Sequence, residues 1–137
     1  MIIKTKHSTT NYKALMPFIL AADQNDGHKH FESSGYMDLV IENLYTTDAD
    51  GFPIYSITHY GEQNGDLMAD PDMEIAINHI DGRIIPRTFR NDYMGLFQEV
   101  FSTQNGRRVY SPGLLRELDA FLWQWLKNIE AQGFKAA

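Results

Sequence analysis

The fold is decided by one stretch of the sequence, Thr58-His-Tyr-Gly-Glu-Gln-Asn-Gly-Asp-Leu-Met-Ala-Asp-Pro-Asp-Met-Glu74. Its Asn64-Gly65 pair supplies the two positive φ angles that a two-residue type I′ turn requires. The residues on either side are rich in β-branched and aromatic types, which is typical of strands. The stretch therefore predicts a β-hairpin in which His59 faces Asp70 across the two strands.

The pairing of this hairpin is expected to shift at Asp70-Pro71. Without a shift, the apolar Ile57 would face the charged Asp72. A shift of one residue pairs Ile57 with Met73 instead, which restores an apolar face. Because proline has no N–H to give to a central ladder, a bulge at this point is favoured twice over.

Further turn signals divide the rest of the chain into short strands. The same type of dipeptide recurs at Asp50-Gly51, Asp81-Gly82 and Asn105-Gly106. Their flanking segments predict strands over 36–45, 53–62, 67–80, 83–89, 96–102 and 107–110. His28 and His30 lie outside these segments and are expected on a surface loop.

Two amphipathic patterns predict helices at the ends of the chain. The first has its start near Asn11, or near Met16 with Pro17 in the first turn. The second begins with a Ser111 cap and carries a broad apolar stripe. Trp125 lies at the centre of that stripe, and Gly133 is the expected residue after the helix end.

Together these elements predict one α+β domain over residues 1–137. Hairpin connections make neighbouring strands antiparallel, and amphipathic helices need an apolar sheet face to cover. The expected architecture is a two-layer domain. It has an antiparallel meander sheet of four to six strands, with an N-terminal and a C-terminal helix packed on it.

The charge of the chain is unevenly distributed. The net charge is −6, but the segment 23–81 holds thirteen acids against one base, which gives −12. The flanking segments are mildly basic. Direct nucleic-acid binding is not expected, because phosphate contacts require clustered Lys and Arg. An acidic face suits a basic protein partner.

Composition also limits the location and the chemistry. Cysteine is absent, which excludes disulfides, thiolate metal sites and cysteine nucleophiles. No apolar run is long enough to span a membrane, and no signal peptide is recognisable at the N-terminus. The expected location is the cytoplasm, with no membrane partner. No nucleotide-binding or Gly-x-Ser-x-Gly motif occurs.

The hairpin concentrates the polar functional groups, and three interpretations stay open. His59, Asp70 and Asp72 are candidate ligands of a divalent cation, since imidazole and carboxylate groups suit Mn²⁺, Zn²⁺ or Mg²⁺. His59 and Asp70 are also a candidate general-base pair. Otherwise the acids form a solvated rim or a partner contact. The spacing of these residues matches no established metal motif. No cofactor is expected, and a divalent cation is the one that stays open.

The candidate ligand- or partner-binding residues are His59, Glu62, Asn64, Asp66, Asp70 and Asp72. Structural roles are assigned to Gly65, Pro71, Trp125 and Gly133.

Two strings carry a resemblance to a known family. They are His59-Tyr-Gly-Glu-Gln-Asn-Gly-Asp-Leu-Met-Ala-Asp-Pro-Asp-Met-Glu74 and Phe121-Leu-Trp-Gln-Trp-Leu-Lys-Asn-Ile-Glu-Ala-Gln-Gly-Phe134. The chain resembles a family of small uncharacterised domains from bacteria, archaea, phages and mobile elements. The resemblance brings no activity with it. It implies that the Asn64-Gly65-Asp66 turn and the Asp70-Pro71-Asp72 step belong together.

The function expected from the sequence is therefore general. The leading hypothesis is a non-enzymatic binding or accessory protein, encoded by a phage or mobile element, that uses its acidic half against a basic partner. The alternative is a small enzyme, dependent on a divalent metal or on a His–Asp pair, centred on the 59–74 hairpin. The sequence does not indicate an oligomeric state.

Overall fold

The structure is a computed structural model that describes residues 3–136. In chain order its elements are α1 (Ser8–Asp23), β1 (His28–Phe31), β2 (Leu39–Thr47), β3 (Pro53–Gln63), β4 (Asp66–Asn78), β5 (Arg83–Pro86), β6 (Thr88–Asn91), β7 (Leu96–Glu99), β8 (Phe101–Gln104), β9 (Arg107–Tyr110) and α2 (Pro112–Ala131).

The strands form one large antiparallel sheet and one small ribbon. The main sheet has the order β1-β2-β3-β4-β6-β7, and β5 pairs with another part of β4. Strands β8 and β9 pair only with each other in the described part of the chain. The predicted α+β fold with two terminal helices is confirmed. The main sheet has seven strands rather than four to six, partly because the 83–89 segment divides at Arg87.

His28 and His30 lie in a strand, not in the surface loop that the sequence suggested. Strand β1 pairs with β2, and these two residues lie opposite Glu42 and Val40. A strand of four residues is too short to show a clear alternation. Its one buried residue, Phe31, contacts a residue of α1, which local sequence cannot reveal.

Helix α1 begins at Ser8, earlier than the expected start near Asn11, and continues through Pro17. No side chain caps its N-terminus. Instead the buried Asp119 of α2 accepts hydrogen bonds from Thr5 Oγ1 at 2.6 Å and from the backbone N–H of His7 at 2.9 Å. A tertiary contact fixes this helix end, so the local capping pattern was a poor guide to it.

Two of the four predicted turns have the expected geometry. Asn64 and Gly65 take φ angles of +53° and +83°, and Asn105 and Gly106 take +52° and +74°. These pairs of positive φ angles are what a type I′ turn requires.

The other two predicted turns are longer loops. At Asp50-Gly51 and Asp81-Gly82 only the glycine has a positive φ. The Asp48 side chain accepts hydrogen bonds from the backbone N–H groups of Asp50 and Phe52. Asn78 does the same for the N–H groups of residues 80 and 81. In these loops, side-chain oxygens accept hydrogen bonds that backbone carbonyl groups would accept in a two-residue turn.

The two helices cover one face of the main sheet. On that face the His59 ring packs against Trp125 of α2, and Tyr55 donates a hydrogen bond to Asp23 of α1. Phe89 contacts Phe121 of α2 in an edge-to-face geometry. Residues that alternate with these along each strand point to the opposite side, which we call the open face.

Candidate binding face of the sheet

The open face carries two cross-strand rows of side chains, because directly paired residues point to the same side of a sheet. The register gives one row as His28, Glu42, Ser56 and Glu74. It gives the other as His30, Val40, Thr58, Asp72 and Arg90. Three carboxylates from two strands, Glu42 of β2 and Asp72 and Glu74 of β4, therefore share one surface.

The open face contains a groove of about 470 Å³ near its β1–β2 edge. Its lining residues are His28, His30, Tyr36, Met37, Asp38, Val40, Glu42, Tyr60 and Leu67. The lining combines aromatic and aliphatic groups with two carboxylates. Such a surface suits a cationic side chain with an apolar stem, because carboxylates attract the charge and aromatic faces stabilise it.

Two histidine–carboxylate pairs lie at the rim of this groove. His28 Nε2 lies 3.6 Å from a Glu42 carboxylate oxygen, and His30 Nδ1 lies 3.7 Å from Asp38. Both distances exceed those of a hydrogen bond, and all four side chains are partly exposed to solvent. The two carboxylates are therefore accessible to a ligand.

Asp72 occupies the middle of the second row. Burial raises the pKa of Asp72, and the charges of Glu74 and Glu42 raise it further. A hydrogen bond from Thr58 and the charge of Arg90 act in the opposite direction. The desolvated carboxylate is thus surrounded mainly by other acids, which is an arrangement that favours a cation from outside.

Arg90 faces Asp72 across the β4–β6 pair and also bonds to a second carboxylate. Its Nε donates a hydrogen bond to Asp92 at 2.7 Å. That contact raises the pKa of Arg90, while the backbone N–H of Ala69 and the guanidinium together lower the pKa of Asp92. The guanidinium at the end of the row is therefore shared between Asp92, which it bonds, and Asp72, whose pKa its charge lowers.

Tyr60 lies on the same face as Thr58 and also lines the groove. Burial raises the pKa of the Tyr60 phenol, and the charge of Asp72 raises it further. The hydroxyl therefore stays protonated at neutral pH and offers a donor beside the groove.

His59 lies on the helix-covered face, where it is buried. Its Nδ1 lies 3.2 Å from the carbonyl oxygens of both Met37 and Asp38. Because a carbonyl only accepts, Nδ1 carries the proton. Burial lowers the pKa of His59, against raising effects from these two carbonyls and from the Asp70 charge. Trp125 and Phe134 pack against its ring.

The predicted bulge is present at Asp70-Pro71. The register pairs Tyr60 with Ala69 and then Thr58 with Asp72, so β4 contains one extra residue at this point. Ile57 faces Met73, as the apolar pattern predicted. Pro71 is buried, and its peptide bond with Asp70 is cis.

The bulge separates the three candidate metal ligands. Asp72 pairs with Thr58 and points to the open face, whereas the adjacent His59 points to the helices. Asp70 Oδ1 instead accepts a hydrogen bond from Asn91 at 2.8 Å. Across residues 3–136, no three His, Cys, Asp or Glu side chains are grouped so that they could hold a metal ion. The structure thus does not bring His59, Asp70 and Asp72 together.

The remaining candidate residues lie at the exposed end of the hairpin or in structural positions. Glu62, Asn64, Gly65 and Asp66 are exposed there. Trp125 is 5% exposed. Gly133 has a φ of +88°, and its N–H bonds to Glu130 O while that of Phe134 bonds to Ile129 O. This is the Schellman arrangement at the end of α2.

Sequence patterns did not single out Glu42, Glu74 or Tyr60 as candidate binding residues. The signal for them was the same alternation that predicted the strands. Once Ser56 is paired with both neighbouring strands, Glu42 and Glu74 lie on either side of it. What the pattern lacked was the knowledge of which sheet face the helices cover.

The comparisons with known proteins identify a family but no activity. A family model described as a domain of unknown function, DUF6908, matches residues 10–135. No curated protein and no solved structure matches the chain. The expected resemblance to a family of small uncharacterised domains is confirmed at that level.

Proposed function

The chain belongs to the DUF6908 family of domains of unknown function, and we propose from the geometry of its own structure that it is a binding module. Its open face would bind a basic segment of a partner protein. One observation carries the proposal. Glu42 and Glu74 flank Ser56 in one cross-strand row, and Asp72 lies in the next row, on a sheet face that neither helix covers.

The groove supports the choice of a cationic side chain as the ligand. Asp38 and Glu42 provide charge, while Tyr36 and Tyr60 provide aromatic surface beside it. A lysine or arginine side chain has both a charged end and an apolar stem, so it matches both parts of this lining. Electrostatic attraction would also speed the encounter and make it sensitive to salt.

Predictions on location, origin and domain organisation accompany this proposal. Neither helix within residues 3–136 is long and apolar enough to cross a membrane. A cytoplasmic location, an origin in a phage or mobile element, and a single domain over residues 1–137 stay predictions. The acidic side chains on the open face support the prediction that the chain does not bind nucleic acid directly.

The proposal is tested with synthetic peptides and charge variants. The probe is a lysine- and arginine-rich peptide of about ten residues, with a glutamate-rich peptide of equal length as its control. Calorimetry of the wild-type chain should show binding to the basic peptide that weakens as salt increases. The double variant Glu42→Gln, Glu74→Gln should weaken it at least tenfold.

The matched control is Glu117→Gln, which removes an exposed charge from α2. It should leave the affinity unchanged. If the control and the double variant lose affinity equally, attraction by total charge is sufficient and the open face is not the site. Amide chemical shifts that change only in the helices would also contradict the proposal.

The alternative is an enzyme centred on the 59–74 hairpin, with or without a divalent cation. The observation in its favour is the raised pKa of the half-buried Asp72, which suits a proton acceptor or donor. Titration with Mn²⁺ or Zn²⁺ tests the cation. A ligand that binds only the folded state adds about 2.7 kcal/mol at 100 times its dissociation constant. An equal melting shift in Asp72→Asn would place any bound cation elsewhere.

A further inference from the structure

The outward side of α1 is unusually apolar for a surface helix. Nine consecutive residues, Ala-Leu-Met-Pro-Phe-Ile-Leu-Ala-Ala from position 14, include no polar side chain. Leu15 and Ile19 are fully buried toward the core. On the other side Ala14, Pro17 and Leu20 are exposed, and Leu20 is 53% exposed. A helix that packs by one face normally carries polar residues on the opposite face.

A groove runs beside these exposed residues, between α1 and α2. Two adjoining cavities of about 190 and 400 Å³ share Ala14, Leu126 and Glu130 in their linings. Pro17 and Phe18 extend the larger cavity along α1. The surface therefore has a projecting leucine and, one turn away, a recess with a small residue at its edge.

A buried polar atom in this groove has no partner. Asn11 lines the smaller cavity and is 1% exposed. Its Nδ2 donates to the carbonyl oxygen of Asp119 at 3.3 Å, which directs Oδ1 away from that bond. Oδ1 has no hydrogen-bond partner among the described residues. An unpaired buried amide oxygen is costly, so this end of the groove is a point of low stability in the single chain.

The two ends of α1 differ in charge. Lys6 precedes α1 and Lys13 lies in its N-terminal half, and both are exposed. Asp23 is the last residue of α1 and Asp26 follows the helix, and both of these are exposed as well. A second α1 that runs antiparallel brings the basic end of each helix to the acidic end of the other. The opposed helix dipoles favour the same direction.

We propose that the outward side of α1 is a two-fold interface with a second copy of this chain, in which the two α1 helices cross antiparallel at Pro17. Residues equally distant from Pro17 on either side then meet. Leu20 of one copy faces Ala14 of the other and enters the recess beside it. An interface of this kind is self-complementary, because one surface carries both the projection and the recess.

The same crossing pairs two exposed polar side chains. Seven positions on either side of Pro17 lie Thr10 and Gln24, so the Gln24 amide of one copy comes opposite the Thr10 hydroxyl of the other, at the edge of the smaller cavity. The projection and the charges point to the same arrangement.

The first test is the mass of the chain in solution. Light scattering after size-exclusion chromatography should give twice the mass of one chain at about 100 µM, and Leu20→Glu should give the mass of one chain. The matched control is Met94→Glu, which changes an apolar residue that is 72% exposed in the turn between β6 and β7. It should leave the dimer intact. A monomeric wild type, or a Leu20→Glu dimer, overturns the proposal.

The second test uses the absence of cysteine from the chain, which makes introduced thiols specific. Ala14→Cys and Leu20→Cys chains are mixed and oxidised. The mixture should give a disulfide-linked pair with one chain of each variant, in a yield well above that of a Met94→Cys control. Circular dichroism confirms that each variant is folded. Mixed crosslinking no stronger than the control would exclude the antiparallel crossing and leave the face to a different partner.

Discussion

Thr58 donates a hydrogen bond to Asp72 across the β3–β4 pair, with 3.1 Å between Oγ1 and Oδ1. The bond fixes the Asp72 carboxylate on the open face, between the rows that carry the other acids. It only partly offsets burial, because the pKa of Asp72 is still raised. A charged group held in an unfavourable position is typical of a site kept for binding rather than for stability.

Asp72→Asn should therefore stabilise the protein at neutral pH. A folded-state pKa above the unfolded value means that stability falls as pH rises through that interval. Asparagine removes the charge and keeps an oxygen that accepts the Thr58 bond. We expect Asp72→Asn to melt a few degrees above the wild type at pH 7. This difference in melting temperature should narrow as the pH falls toward about 4.

Asp66→Asn at the exposed hairpin tip is the control for this prediction. It should leave the melting temperature unchanged at both pH values. A variant Asp72→Asn that melts at or below the wild-type temperature at pH 7 would show that the carboxylate is compensated in the folded state.

His59 should give the protein an acid-sensitive stability. Burial lowers the pKa of His59, so the unfolded state takes up a proton first as pH falls. Stability is therefore complete above the unfolded value of about 6.5 and is lost as pH falls from there through the folded value. The free energy of unfolding in urea should decrease from pH 7.5 to 5.5, and less so in His59→Gln.

Glutamine at position 59 retains an N–H donor for the carbonyls that Nδ1 now contacts. His79→Gln, at an exposed histidine, is the control and should keep the wild-type pH dependence. Equal pH dependence in His59→Gln and the wild type would mean that other groups control the response.

The bulge shows both what local patterns predict and where they stop. The apolar match of Ile57 with Met73, together with Pro71 inside β4, was enough to predict the shifted register. The same shift places Asp72 opposite Thr58 and hence on the side away from His59. The candidate cation site of His59, Asp70 and Asp72 thus conflicted with the predicted register, because strand alternation places His59 and Asp72 on opposite faces.

Long-range contacts account for what the sequence did not predict. The start of α1 depends on Asp119, which is more than one hundred residues away. The strand at His28 and His30 depends on pairing with β2, and the open face is defined by which side the helices choose. None of these contacts leaves a periodic signal in the segment that it fixes.

Two glycines should respond oppositely to alanine. Gly65 has a φ of +83° in the hairpin turn, so Gly65→Ala should cost about 1–2 kcal/mol. Gly113 lies near the start of α2, and an added Cβ meets no atom within 4 Å. Gly113→Ala should stabilise by about 0.4–1 kcal/mol, because it restricts the unfolded chain. Urea unfolding measures both. A stabilising Gly65→Ala would contradict the turn assignment, and a destabilising Gly113→Ala would contradict the free space at the start of α2.

Trp125 tests how α2 packs on the sheet, through two substitutions of different size. The side chain is 5% exposed and its ring lies 5.5 Å from that of His59. Trp125→Ala should cost about 3–5 kcal/mol, from lost apolar burial and the cavity left behind.

The indole Nε1 of Trp125 has no hydrogen-bond partner among the described residues. Trp125→Phe therefore loses no hydrogen bond and should cost less than about 1.5 kcal/mol. Thermal and urea unfolding of both variants give the comparison. A Phe variant as unstable as the Ala variant would show that the indole N–H has a partner, and a wild-type melting temperature for Trp125→Ala would show that α2 does not pack through this residue.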